Sequence, residues 1–397
     1  MITTQFSSRA MKMESSDLAA LFELTERLEI LSFAGGFPDS SWFLEEFKEI
    51  TEKIISDQKG IALNYGPTPG ISDLREFIAE RLSRQGIKSI DACNLIITSG
   101  SLQGLDIVGR LFLNPGDKVI IEAPTYVGAI AALEALEADL VQVPCDKDGM
   151  RTNVLAETIA HLEKRNQTPK LIYTIPNFQN PSGCTLSIER RKELLAIATR
   201  YQIPVIEDNA YSELRITGEQ LPMLSALDED RSVIHLGTFS KIVSPGLRVG
   251  WLSARPEIIE KALLIKQCVD QCSNTLGQMI ILEYGRKGLI EQQIAVSIKD
   301  LVKKRKATLI ALEKYLPKGS TWSIPEGGFY TWVTLPDGAD AVSALKTAIE
   351  KYKVAFVAGP AFFADHSGSN KLRICFSQPK VEQIDFGIKQ IVKAFTA

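Results

Sequence analysis

From Leu95 to Ala254 the chain alternates short β-rich apolar runs with amphipathic helical stretches, and this alternation restricts the fold more than any other feature. Residues 95–98, 118–122, 140–143, 171–175, 205–208, 233–237 and 249–253 read as strands. Most are apolar along their whole length, which suits strands covered on both faces. Between them lie helical patterns such as 187–201, which puts Leu194, Leu195, Ile197 and Ala198 on one face. Asn114-Pro115-Gly116-Asp117 and Asp146-Lys147-Asp148-Gly149 punctuate the series as turns. The expected architecture is α/β, with a seven-stranded, mostly parallel sheet sandwiched by helices.

A chain of 397 residues is too long for one core, so a large and a small domain are expected. After Ala254 the pattern becomes strongly helical, and 290–315 reads as one or more long charged and apolar helices. Short strands return around 328–333 and 372–376, with helices at 341–351 and 381–394. This tail forms an α+β unit. Phe33-Ala34-Gly35-Gly36-Phe37-Pro38 has no core of its own and is expected to pack with it. The large domain is therefore drawn at 45–285, and the small one at 1–44 plus 286–397.

Composition narrows the function classes. A formal charge of -3 with interspersed signs gives no footprint for nucleic acid or an anionic membrane, leaving small-molecule chemistry. The six cysteines form no Cys-x-x-Cys pair and read as reduced thiols. Cys268 and Cys272 stand four apart on an expected helix without a histidine nearby, and the three histidines are scattered, so no metal site is expected. With no signal-peptide pattern and no membrane-length apolar run, a cytoplasmic location is the expectation.

Chemistry-bearing residues gather at strand ends. Gly237-Thr238-Phe239-Ser240-Lys241, with Arg248 seven residues on, brings together one amine, two hydroxyls and one guanidinium. The 205–208 run delivers Asp208, with Tyr211 three residues later. The 171–175 run opens into Asn177-Phe178-Gln179-Asn180-Pro181-Ser182-Gly183, and 95–98 into Ser99-Gly100-Ser101-Leu102 before a helix. In an open parallel sheet such loops converge on one crevice outside the carboxyl ends of the strands.

Together with Asn64-Tyr65-Gly66-Pro67, the glycine-rich 33–36 segment and Arg373, these motifs resemble the fold type I pyridoxal phosphate aminotransferases. The likeness runs over nearly the whole chain. It is to class I/II, the group that includes 2-aminoadipate and kynurenine aminotransferases, with the aspartate aminotransferase-like fold. The resemblance implies pyridoxal 5'-phosphate as cofactor, and transamination between an L-amino acid and a 2-oxo acid, with 2-oxoglutarate the expected acceptor. It makes Lys241 the Schiff-base lysine of a ping-pong cycle and the proton carrier at Cα. Asp208 would face the pyridine nitrogen, while Tyr211 and Asn180 would donate to the cofactor's phenolic oxygen. Ser101, the amide of Leu102, Thr238, Ser240 and Arg248 would hold the phosphate. Relatives often carry glutamine where this chain has Leu102, so a side-chain contact is lost there. Tyr126 would lie against the cofactor ring, or serve simply as a core aromatic.

By the same resemblance Tyr65 reaches the phosphate of a neighbouring subunit, which would make the protein a homodimer with shared sites; a plain Tyr-Gly-Pro turn is the other reading. Arg373 would grip the substrate α-carboxylate, with the backbone of Gly36 and the side chain of Asn180 completing that pocket. Aminoadipate-type relatives hold an acidic substrate end with an arginine on a short N-terminal helix, where this chain has Ala19; Arg9 or Lys12 could substitute. Aromatic or branched aliphatic donors are equally compatible. The same scaffold supports β-elimination or decarboxylation, and some transcription regulators carry an aminotransferase-like effector domain, although no basic helix-turn-helix precedes Phe33.

Overall fold

The computed structural model describes residues 5–12 and 29–396. Strand β1, Leu31–Ser32, belongs to the N-terminal segment. The main sheet is built from β2 (Leu95–Thr98), β3 (Lys118–Ala123), β4 (Asp139–Asp146), β5 (Gly149–Met150), β6 (Leu171–Thr174), β7 (Val205–Asp208), β8 (Val233–Thr238) and β9 (Gly250–Ser253). Their order is β2-β9-β8-β7-β6-β3-β4-β5. β9 runs antiparallel to both neighbours, β5 antiparallel to β4, and the remaining pairs are parallel. Every residue of β2, β6, β7, β8 and β9 is buried, as expected where helices cover both faces.

Sequence reading gave seven strands; the sheet has eight. The extra strand comes from the turn at 146–149. Gly149, with φ of +91°, lets the chain double back so that Met150 pairs with Cys145 of a longer β4. Two residues carry too little periodicity to read as a strand. A second correction concerns Cys272: the expected helix ends at Val269, so Cys268 and Cys272 do not share one.

The Leu289–Tyr315 helix runs between two cores. Its Leu289, Ile290 and Leu301 pack in one with Leu74, Phe239 and Tyr284, and its Ala311 and Leu312 in another with Phe33, Phe356 and Ile384. Beyond it lie β10 (Thr321–Trp322), β11 (Tyr330–Thr334), β12 (Val354–Ala355), β13 (Val357–Ala358) and β14 (Lys371–Cys375). Four of these form an antiparallel sheet in the order β10-β11-β14-β13. The helix expected at 341–351 is α-helical over Ala341–Thr347 and closes with a π turn over Ala348–Tyr352, where Lys353 at φ 54° ends it.

Residues 31–33 of the N-terminal segment bond to this unit. β1 pairs in parallel with β12, and the Phe33 carbonyl accepts from Cys375 N at 2.8 Å. Asp39 and Asp300 both bind the buried Lys304 ammonium, which also donates to the Ser377 carbonyl at 2.6 Å and lies 5.3 Å from the Trp42 ring. Burial alone would raise the Asp39 carboxyl, but its bonds from Lys304 and Ser41 outweigh that and hold it below the ordinary value. Three residues before Asp39, the Gly36 carbonyl accepts from Lys241 Nζ at 2.8 Å.

Candidate active site

The carboxyl ends of β2, β3, β6, β7 and β8 open into a cavity of about 540 Å³, ample for a cofactor and a small substrate. Because β9 runs the other way, its entry brings Arg248 to the same rim. Lining the cavity are Gly36, Ser101, Leu102, Tyr126, Asn180, Asp208, Tyr211, Thr238, Ser240, Lys241, Arg248 and Arg373. Of the residues singled out from sequence for cofactor or α-carboxylate, Tyr65 alone is absent from this lining; it stands 82% exposed.

Asp208 ends β7. Its Oδ2 accepts from the Tyr173 hydroxyl at 2.9 Å, whereas its Oδ1 is buried with no partner. Burial pushes this carboxyl up to about 6, against the Tyr173 bond and the positive charges of His235 and Lys241. An unpaired buried acceptor in a cavity calls for a donor from a bound molecule.

Lys241 lies three residues beyond β8, in the turn that follows. Its Nζ donates to the Gly36 carbonyl at 2.8 Å and sits 6.0 Å from the Tyr211 ring centroid. Burial, with Arg373 and Arg248 adding their like charges, lowers the amine to about 8, so a neutral nucleophilic fraction exists near physiological pH. Gly36 must be glycine: a Cβ there would fall 1.8 Å from the Tyr330 hydroxyl oxygen.

At the far end Ser101 opens the Ser101–Phe112 helix, whose first amides have no helical partner. Thr238 Oγ1 and Ser240 Oγ lie 2.9 Å apart across from it. Arg248, at φ 55°, reaches over with its Nη2 on the Ser99 carbonyl at 2.8 Å. A Cβ on Gly100 would stand 2.5 Å from that Nη2, so only glycine admits the guanidinium. Helix amides, two hydroxyls and one guanidinium make an anion cradle.

Arg373, buried in β14, donates from Nη1 to Asn180 Oδ1 at 2.7 Å and from Nη2 to the Ala34 carbonyl, while its Nε has no partner. Its guanidinium carbon stacks 4.4 Å from the Tyr330 ring centroid and 5.0 Å from that of Phe362. Held only by neutral acceptors and rings, it is free to take a carboxylate. Tyr211 Oη and Tyr330 Oη are 3.0 Å apart, and burial pushes both phenols well up. Tyr126 sits at the N-cap of the Val127–Glu134 helix, its phenol likewise raised by burial and then by Asp208.

Tyr173, Tyr330 and Glu122 escaped sequence reading. Tyr173 pairs with Ile206 and so shares the face of Asp208, two residues on; strand parity would have found it. Ala19 and the side chain of Lys12 lie outside the described residues. Arg9 is exposed, 3.8 Å from Glu137, and does not line the cavity. No helix among the described residues is long and apolar enough to cross a membrane.

An anion cradle, a lone buried carboxylate oxygen and a low-pKa amine in one cavity together suit the chemistry of pyridoxal 5'-phosphate. Comparison with known proteins agrees. Residues 29–391 match the family model described as aminotransferase class I and II. Aromatic-amino-acid aminotransferase 1 of Thermococcus litoralis is 41% identical over 98% of this chain and 93% of its own. The Pyrococcus horikoshii kynurenine aminotransferase structure superposes with a TM-score of 0.94 at 41% identity, covering 100% of this chain and 98% of that one. The Thermus thermophilus alpha-aminoadipate aminotransferase, solved with N-(5'-phosphopyridoxyl)-L-leucine, gives 0.92 at 34% identity, with 100% and 98% covered.

Proposed function

The chain belongs to the class I and II aminotransferases and is a pyridoxal phosphate-dependent aminotransferase of fold type I, and from that membership we propose how its residues divide the work. Lys241, Asp208 and Tyr211 are the catalytic groups. Ser101, the Leu102 amide, Thr238, Ser240 and Arg248 hold the phosphate, with Tyr65 reaching it from the partner chain of a homodimer. Tyr126 covers the ring. Arg373, Asn180 and the backbone of Gly36 take the substrate α-carboxylate. When bound, the cofactor supplies an electrophilic carbon for amines and an electron sink for the substrate's Cα.

The observation that carries this reading is the single free oxygen of Asp208 facing the same cavity as the Lys241 amine. Asp208 Oδ1 accepts the ring N–H and keeps that nitrogen protonated. The Lys241 amine, released from the Gly36 carbonyl, takes the proton from the substrate Cα. Arg373 fixes the substrate by two parallel bonds, so that the Cα–H bond points at the amine. Tyr211 and Asn180 donate to the cofactor's phenolic oxygen.

For the donor side chain the cavity offers Phe37, Val127, Ile175 and Tyr330 and, among the described residues, no cation beyond Lys241, Arg248 and Arg373. Aromatic and branched aliphatic donors follow; 2-oxoglutarate as acceptor rests on the family resemblance, and makes glutamate a donor as well. A panel of amino acids, each followed by the change in cofactor absorbance, tests this: aminoadipate outpacing every apolar donor would overturn it.

Two further results are expected. Arg373→Ala should raise KM for every amino acid donor by about a hundredfold, the loss of a bidentate charged contact, and leave the cofactor absorbance intact. In sedimentation velocity the active species should have the mass of two chains, since one chain leaves Tyr65 facing outward; an active monomer would remove Tyr65 from the site.

A further inference from the structure

Glu122 is fully buried near the end of β3, outside the cavity lining, and forms no ion pair among the described residues. β3 and β6 pair at Val119 with Leu171 and Ile120 with Ile172, and no further ladder pairing joins these two strands. Beyond those pairs the Glu122 carboxylate does what backbone pairing no longer does. Oε1 accepts from Thr174 Oγ1 at 2.7 Å, and Oε2 from Ile175 N at 3.1 Å and from Gln179 Nε2 at 3.0 Å.

Gln179 is itself fully committed. Its Nε2 also donates to the Pro124 carbonyl at 2.6 Å, and its Oε1 accepts from Ser182 N at 2.9 Å. Asn180 is the next residue, bonded to Arg373, and Tyr126 stands two past Pro124. One carboxylate, through Gln179, thus ties the end of β6 to two of the loops that carry cavity residues, those after β3 and β6. A charge buried against neutral donors alone is a costly filler, and burial does push this carboxyl up to about 7 despite its three bonds. Packing alone would be served better by an apolar side chain.

We infer that Glu122 is a positioning residue which, through Gln179, sets Asn180 and Tyr126, and through Asn180 the Arg373 guanidinium, at their working distances. The inference rests on the roles proposed above for those three residues. Glu122→Gln keeps the shape but cannot accept from all three donors at once; Gln179→Met cuts the same link without touching the carboxylate.

Both variants should purify as holoenzyme, with the apo-protein melting temperature of Glu122→Gln near the unaltered value and that of Gln179→Met lower, since it strands three buried polar partners. Each should lower kcat/KM for every amino acid donor about tenfold, chiefly through KM, and move the pH midpoint of the cofactor absorbance. On an Asn180→Ala background Glu122→Gln should have a much smaller effect, limited to what passes through Tyr126, because both changes act on the link to Arg373. Additive effects, or a lowered melting temperature with unchanged KM and absorbance midpoint, would overturn the inference. If Asn180→Ala alone leaves every constant unchanged, the assignment of Asn180 fails instead, and the relay through it falls too.

Discussion

Lys241→Ala is expected to lose transamination by about ten-thousand-fold, since the change removes both a nucleophile and the base at Cα. Among the described residues no other lysine lines the cavity. The loss should fall on kcat: Arg373 and the anion cradle are untouched, and half-saturation by the donor should stay near its original value. The apo-protein should melt no lower than the unaltered one, because burial holds this amine below its ordinary pKa and so makes the charge a burden on the fold. Chromatographic counting of product amino acid over long incubations measures the residual rate. A variant retaining a tenth of the activity would mean that another group moves the proton.

Asp208→Asn should cost two to three powers of ten in kcat, on the order of what one lost electrostatic partner of a reacting charge costs. This substitution also has an opposite effect on the fold. The Asp208 carboxyl is held at about 6 against an ordinary 3.8, so the folded chain keeps its proton more tightly than the unfolded one. Its contribution to stability is complete below about pH 4 and is lost as pH rises through 6. The amide has nothing to lose, so apo Asp208→Asn should be more stable than the unaltered apo-protein at pH 7 by up to about 3 kcal/mol, with the difference vanishing near pH 4. Urea unfolding of both apo-proteins at the two pH values checks the sign. Equal stabilities at pH 7 would show that Asp208 carries no burial cost.

Lys241 and Asp208 could be brought to one crevice from sequence because each ends or closely follows an apolar run, and Arg248 because it stands just before the next one. The place of Glu122 could not be read. A glutamate near the end of an apolar run looks the same whether its strand continues to pair or stops pairing with its neighbour, and where pairing stops is a property of the assembled sheet. Tyr330, and the bond of the already singled-out Gly36 backbone to Lys241, were hidden for a related reason: the contacts to Tyr211 and Lys241 span 119 and 205 residues of chain. The eighth strand was missed because its two residues show no alternation, although the turn before it was plain. Side-chain specificity was the least legible part, since the apolar wall is assembled from Phe37, Val127, Ile175 and Tyr330, far apart along the chain.

Each cation of the crevice rests on neutral oxygen: Lys241 on Gly36, Arg248 on Ser99 and Pro245, Arg373 on Asn180 and Ala34. None is neutralised by an ion pair among the described residues, and Asp208 is the one carboxylate in the cavity wall. The empty crevice is thus an uncompensated positive well inside a chain of formal charge -3, and simple salts must compete for it with the vitamin's phosphate. Reloading of stripped protein should therefore slow as ionic strength rises, and multivalent anions should hinder it more than chloride.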